Sequence, residues 1–190
     1  MRNLVFTFVF ALVLVFTACQ SGGSSATGDK TTALDSIKLA EAALKSDQSG
    51  NFDVAKAKTV LTAYEKFIAL APKDAETSEY LFKSAEIYRS LRQFDKAIEA
   101  YQRIITDFPN YDKTPHSLFL MGFCYENDMG QKDKAKPLYE EFLKKYPQHE
   151  LAQSVQFSLS NIDKTPEQII KEFEAKNKDK SADKQTPTKK

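Results

Sequence analysis

The chain has 190 residues, 27 basic against 26 acidic side chains, two cysteines and a mean hydropathy of −0.47. That length suits one domain able to bury a real core. The balanced charge lacks the basic excess of a nucleic-acid-binding protein, and two cysteines are too few for a disulfide framework.

Arg2 opens the chain with a positive charge, Leu4 to Phe16 is apolar but for Thr7, and Phe16-Thr17-Ala18-Cys19 carries small residues up to a cysteine. A secretory signal has this order of basic start, apolar centre and small-residue cut site. The last four residues resemble the lipobox of bacterial lipoproteins, with Phe16 where that pattern usually has Leu. The resemblance implies a signal peptide at 1–18, lipid (palmitate) on Cys19, and a protein tied to a membrane outside the cytoplasm. An ordinary cleaved signal and an uncleaved span are the alternatives; Leu4 to Ala18 is 15 residues, short of the roughly 20 that cross a bilayer. Gln20 and Ser21 follow the cysteine without an acidic run, which resembles sorting to the periplasmic face of the outer membrane.

Residues 19–31, rich in Gly and Ser, read as a flexible tether. From 32 to 176 the pattern is helical and repeats. Tyr64, Tyr101 and Tyr139 lie 37 and 38 apart, as do Pro72, Pro109 and Pro147. A second track has a uniform spacing of 37: Leu81, Leu118 and Val155; Ala85, Gly122 and Leu159; Tyr88, Tyr125 and Ile162. Ala97 and Ala135 match on the second helices. In copy two, Leu81, Ala85 and Tyr88 fall on one helix face, and small Ala85 and Gly122 mark close helix approach. Each copy reads as a helix, a turn, a second helix and a proline that stops it. A single pair leaves an apolar face bare; stacking neighbours buries it. Leu34, Ile37, Ala40 and Leu44 make an amphipathic first helix for copy one. Thr165-Pro166-Glu167-Gln168 opens a last helix, with Thr165 as cap, Pro166 first in the helix, and Gln168 completing a capping box. The polar sequence past Glu174 suits a terminal cap. Residues 177–190, Lys-rich and without large apolar side chains, read as a disordered basic tail.

These residues resemble the tetratricopeptide repeat family, whose pattern places L-G-x2-Y on the first helix and A-x3-F then P on the second. Copy two carries Leu81, Ala85, Tyr88, Ala97, Tyr101 and Pro109; copy three carries Leu118, Gly122, Tyr125, Ala135, Tyr139 and Pro147. The expected fold is all-α, a solenoid of three to four stacked hairpins. The long period and the Phe108-Pro109 and Tyr146-Pro147 endings resemble the periplasmic branch of the family. That branch includes BamD-like outer-membrane-protein assembly lipoproteins and the CpoB-like cell-division repeat domain. The resemblance implies a scaffold that binds proteins in the cell envelope and has no catalysis of its own.

Residues suited to chemistry are sparse. His116 and Cys124 stand eight apart on one predicted helix, roughly 12 Å along its axis and too far for a thiol–imidazole pair. His149 follows Pro147, and two separated histidines with one cysteine do not cluster as metal ligands. Cys124, without an internal partner once Cys19 carries lipid, reads as a buried small hydrophobe. Adjacent Glu140 and Glu141 diverge on a helix and read as a solvated face. No catalytic residue, metal, cofactor, small-molecule substrate or nucleic acid is therefore expected. For partner binding, the first helices place Phe82, Lys83, Glu86 and Arg89, then Phe119, Leu120, Phe123, Glu126 and Asn127, along a groove. The competing reading is that Phe82, Phe119 and Phe123 fill the core between helices.

Overall fold

The computed structural model describes residues 23–45 and 52–183. Residues 1–18, read as a signal peptide, together with Cys19 and residues 20–22, 46–51 and 184–190, lie outside the described residues. The described chain is helical throughout: α1 Gly23–Lys45, α2 Val54–Leu70, α3 Ala75–Ser90, α4 Phe94–Asp107, α5 Thr114–Phe123, a π-helical turn Cys124–Asp128, α6 Lys132–Lys145, α7 Ala152–Asn161 and α8 Pro166–Asp183. Each helix from α1 to α6 packs on the next in sequence, so the hairpins form the all-α helical-repeat solenoid expected.

The elements start and stop for local reasons. Asp53 caps α2 by accepting the Ala55 and Lys56 amides at 2.9 and 3.0 Å, and Asp74 caps α3 through Glu76. Each second helix ends two residues before its proline, and the cap amides of Ala71, Phe108 and Tyr146 bond back to Phe67, Ile104 and Phe142. The turn into the next hairpin is closed the same way twice. Thr77 donates its hydroxyl to the Ala71 carbonyl at 2.6 Å, and Thr114, 37 residues on, donates to that of Phe108 at 2.8 Å. The expected capping box of α8 is present, with Thr165 N–H on Gln168 Oε1 at 2.8 Å and Gln168 N–H on Thr165 Oγ1 at 3.3 Å.

The core follows the repeat tracks. Leu81, Ala85 and Tyr88, Leu118 and Gly122, and Val155 and Ile162 are buried on the first helices; Tyr64, Tyr101 and Tyr139 are buried on the second. Gly122 allows α5 to meet α6: a Cβ there would stand 2.7 Å from Cε1 of Tyr139. The change of spacing from 37 to 38 has a structural cause. First helices two and three end in matching turns, with Gln93 N–H on Tyr88 O at 2.8 Å and Gln131 N–H on Tyr125 O at 2.6 Å. The left-handed residues of those turns are Arg92 (φ 58°) and Gly130 (φ 67°), 38 apart, whereas Tyr88 and Tyr125 are 37 apart. One extra residue thus enters after Tyr125, and the π-helical turn accommodates it.

Two boundaries differ from expectation. The helix of copy one begins at Gly23, inside the stretch read as a 19–31 tether. Lys30 ties that stretch to the solenoid by pairing with Asp74 at 2.6 Å and lying 5.6 Å over the Phe67 ring. At the other end α8 continues to Asp183, seven residues into the segment read as a disordered 177–190 tail. Phe157, Ile170 and Phe173 are exposed on the last two helices. Among the described residues, α8 packs only lightly on what precedes it, and no helix is long and apolar enough to cross a bilayer.

Candidate partner-binding face

The first helices α1, α3 and α5 present a row of charges laid over tyrosines. Glu41 accepts from Tyr64 Oη at 2.5 Å and from Lys83 Nζ at 2.9 Å, joining α1, α2 and α3. Glu79 accepts from Tyr111 and, at 2.9 Å, from Lys113 Nζ, joining α3 to the turn before α5. Burial alone would push both carboxyls up; the hydrogen bonds from tyrosine and lysine outweigh it and hold both below the ordinary glutamate range. Burial, then the bonded carboxylates, pushes the Tyr64 and Tyr111 phenols well above the usual range, so both stay protonated donors. Farther along, Arg89 grips Asp128 Oδ2 with Nε at 2.9 Å and an outer nitrogen at 2.8 Å, and its guanidinium lies 5.2 Å over the Phe123 ring.

This row decides the fate of the residues expected along a groove. Phe82 is a correction: it is buried, edge-on to Tyr101 at 6.0 Å, with Lys113 4.9 Å over its other side, so it fills the core. Lys83 and Arg89 are on the face but engaged with Glu41 and Asp128 of neighbouring elements. Glu86 and Asn127 are exposed, and the Asn127 amide donates only a long 3.4 Å bond to the Phe123 carbonyl. Glu126 is half-buried and accepts the Tyr139 hydroxyl at 2.7 Å. Phe119, Leu120 and Phe123 are half-buried; the Phe119 ring lies 6.1 Å from those of Phe123 and Tyr139. The open part of the face is thus Phe119, Leu120 and Phe123, edged by Glu86, Arg89 and Asn127. A cleft of about 280 Å³ opens beside it between α1 and α3, bounded by Glu41, Tyr64, Lys83 and Glu86. Sequence reasoning missed Glu41, Glu79 and Asp128 as partners, because opposite charges on different repeats give no local signal.

Cys124 is fully buried beside Arg89 and Asp128, and burial, with Asp128 adding to it, pushes its thiol up to about 11. It is the inert small hydrophobe expected. Glu141 pairs with Lys145 at 2.6 Å along an open helix surface.

The expected separation of the histidines is overturned. The turn after Pro147 folds back on the start of α5, so His116 and His149 meet with ring centroids 5.1 Å apart, nearly perpendicular. Glu150 Oε1 lies 3.5 Å from His116 Nε2, and one ligand-type atom from each of the three residues falls within 4.8 Å of the others. His149 also packs edge-on against Phe142 at 5.6 Å and accepts the Leu151 amide on Nδ1 at 3.1 Å. No sequence motif announces this set, since 33 residues separate its two halves.

The fold and this face define the class: a helical-repeat solenoid with a half-open apolar row on α5. Residues 79–111 and 116–149 match the tetratricopeptide repeat family, which supports placing the chain among tetratricopeptide-repeat proteins. No curated protein matches the chain. The repeat type points to protein partners and to a scaffold role.

Proposed function

We propose that this protein is a non-catalytic lipoprotein scaffold, held at the periplasmic face of the outer membrane through lipid on Cys19, that binds protein partners in envelope assembly in the manner of BamD-like proteins. The observation that carries the binding role is the Phe119–Leu120–Phe123 row, half-open on α5 within a matched repeat and edged by charge. Aromatic area supplies affinity and the charged edge sets register for an incoming peptide or helix. The signal-like start and the small residues before Cys19 support the anchor. A CpoB-like accessory role in wall synthesis or division rests on the same repeats and stands as the second reading.

The test is crosslinked affinity purification from envelopes, comparing the unaltered protein with the double variant Phe119→Ala, Phe123→Ala. Recovery of barrel-assembly components, lost in a double variant that keeps its helical circular dichroism, supports the first reading. Wall synthases or division proteins recovered in the same way support the second. Equal recovery by both forms of the protein refutes the face. Cys19→Ala should release the protein from membranes; retention refutes the anchor.

A further inference from the structure

We propose that His116, His149 and Glu150 form a binding site for a divalent transition-metal ion of the Zn²⁺ type. The site lies at the start of α5, one helical turn before Phe119, and does not depend on the scaffold reading.

Three observations lead to it. First, the ligand set is suitable: two imidazoles and one carboxylate from two chain segments, their ligand atoms within 4.8 Å. Nitrogen-rich sets of this kind prefer Zn²⁺ and its neighbours over Ca²⁺ or Mg²⁺, which take oxygen shells. Second, neither nitrogen of His116 has an ordinary hydrogen bond. Nδ1 is buried with no partner, and Nε2 stands 3.5 Å from Glu150, long for a hydrogen bond. Third, the repeat itself shows what this place ordinarily holds. One copy earlier, Glu79, Tyr111 and Lys113 occupy the positions 37, 38 and 37 residues before His116, His149 and Glu150. There they form a closed clasp, with Glu79 accepting from both partners. In the later copy every member is replaced: the acid becomes His116, the tyrosine becomes His149 and the lysine becomes Glu150. Here His116 Nε2 and Glu150 stand 3.5 Å apart, where the earlier clasp is closed by two hydrogen bonds. A dication bridging the rings and the carboxylate would close this one.

Binding needs a small rearrangement. The free lone pair of a neutral His149 is the Nδ1 one that accepts the Leu151 amide. Coordination through Nδ1 displaces that amide, and coordination through Nε2 moves the ring proton to Nδ1 and breaks the same bond. One N–H bond at the start of α7 is exchanged for a metal bond in either case. Glu150 is exposed, so no packing opposes its side chain's turning toward the ion. The ion would pin the α6–α7 turn to the start of α5, and its remaining coordination positions would be open to water or to a partner's side chain.

The test is titration of the full chain in detergent with Co²⁺, followed by Zn²⁺ competition and thermal unfolding with and without Zn²⁺. The expected result is one equivalent of Co²⁺ giving visible d–d absorption, Zn²⁺ displacing it with Kd tighter than about 100 μM, and a raised Tm with Zn²⁺. His116→Gln, His149→Ala and Glu150→Gln should each weaken binding, the histidine variants by about tenfold or more. His149 also packs on Phe142, so His149→Ala is read only alongside Glu150→Gln, which removes a ligand from an exposed position and leaves the packing intact. Weaker binding than that limit, or His116→Gln and Glu150→Gln both within about twofold of the unaltered chain, overturns the site.

Discussion

Replacing Gly122 with alanine puts one methyl group into the contact between α5 and α6. The new Cβ would stand 2.7 Å from Cε1 and 3.0 Å from Cδ1 of Tyr139. Carbon atoms in contact rest at about 3.5–4.0 Å, so ring or helix must yield by close to an ångström. Tyr139 has little freedom to do so. It is fully buried, lies beside Phe119, and its hydroxyl is bonded to Glu126 at 2.7 Å. Overpacking of this kind costs about 1–3 kcal/mol, while alanine gains about 0.8–1.0 kcal/mol over glycine inside a helix. The net expectation is a loss of about 0–2 kcal/mol, too broad to interpret alone. A double-mutant cycle sharpens it. In a Tyr139→Leu background the ring is gone, so Gly122→Ala should stabilise by about 1 kcal/mol. Urea unfolding of all four proteins, followed by helical circular dichroism, then yields a coupling of about 1–3 kcal/mol. A coupling below about 0.5 kcal/mol would falsify the claim that glycine is required there by Tyr139.

Glu41 and Glu79 are held below the ordinary glutamate range in the folded protein, so their contribution is fully present above that range and is lost as pH falls through the lowered values. Urea midpoints of Glu41→Gln plus Glu79→Gln should therefore fall less between neutral pH and the acid range than those of the unaltered protein; an equal fall refutes the assignment. Cys124, buried with its thiol pushed up to about 11, should resist a thiol reagent at mildly alkaline pH and react only at the rate of unfolding, so rapid labelling of the folded protein contradicts its placement. Arg92 holds φ 58° where the next repeat has Gly130. Arg92→Gly should stabilise by about 0.5–1 kcal/mol, the left-handed penalty less a weak stack on Phe94, read as a small rise in the urea midpoint; a decrease refutes the strain.

Most of the fold was legible because the repeat encodes burial twice. Leu81, Ala85 and Tyr88 share a helix face, and the same face recurs 37 residues later, so periodicity within a copy and between copies agrees. Proline stops and the Thr165 capping box are local chemistry and were readable for the same reason. The partner-binding face was readable only in part. Phe82 and Phe119, one period apart, have different exposures: Phe82, against Tyr101 and Lys113, is buried, whereas Phe119, against Phe123 and Tyr139, stays half-buried. Which neighbour covers a ring is a property of the assembled stack. The start of α1 was misjudged because glycine and serine signalled a linker, while the interaction that orders Lys30 comes from Asp74, 44 residues away. The histidine cluster escaped for a related reason: its members lie at turn and helix-start positions where the family pattern prescribes nothing.

The extra residue in the Cys124–Asp128 turn bears on how this molecule can be recombined. One residue added to a regular helix rotates everything after it by about 100°, enough to swing Tyr139 off the core and Glu126 away from it. The wider turn absorbs that rotation, so copies two and three end in the same geometry despite unequal lengths. They are consequently not interchangeable cassettes at every junction. A chimaera joined upstream of Cys124 carries the wide turn along intact. One joined between Tyr125 and Gly130 gains or loses a residue without the turn that compensates for it, and its downstream hairpin enters the stack out of phase.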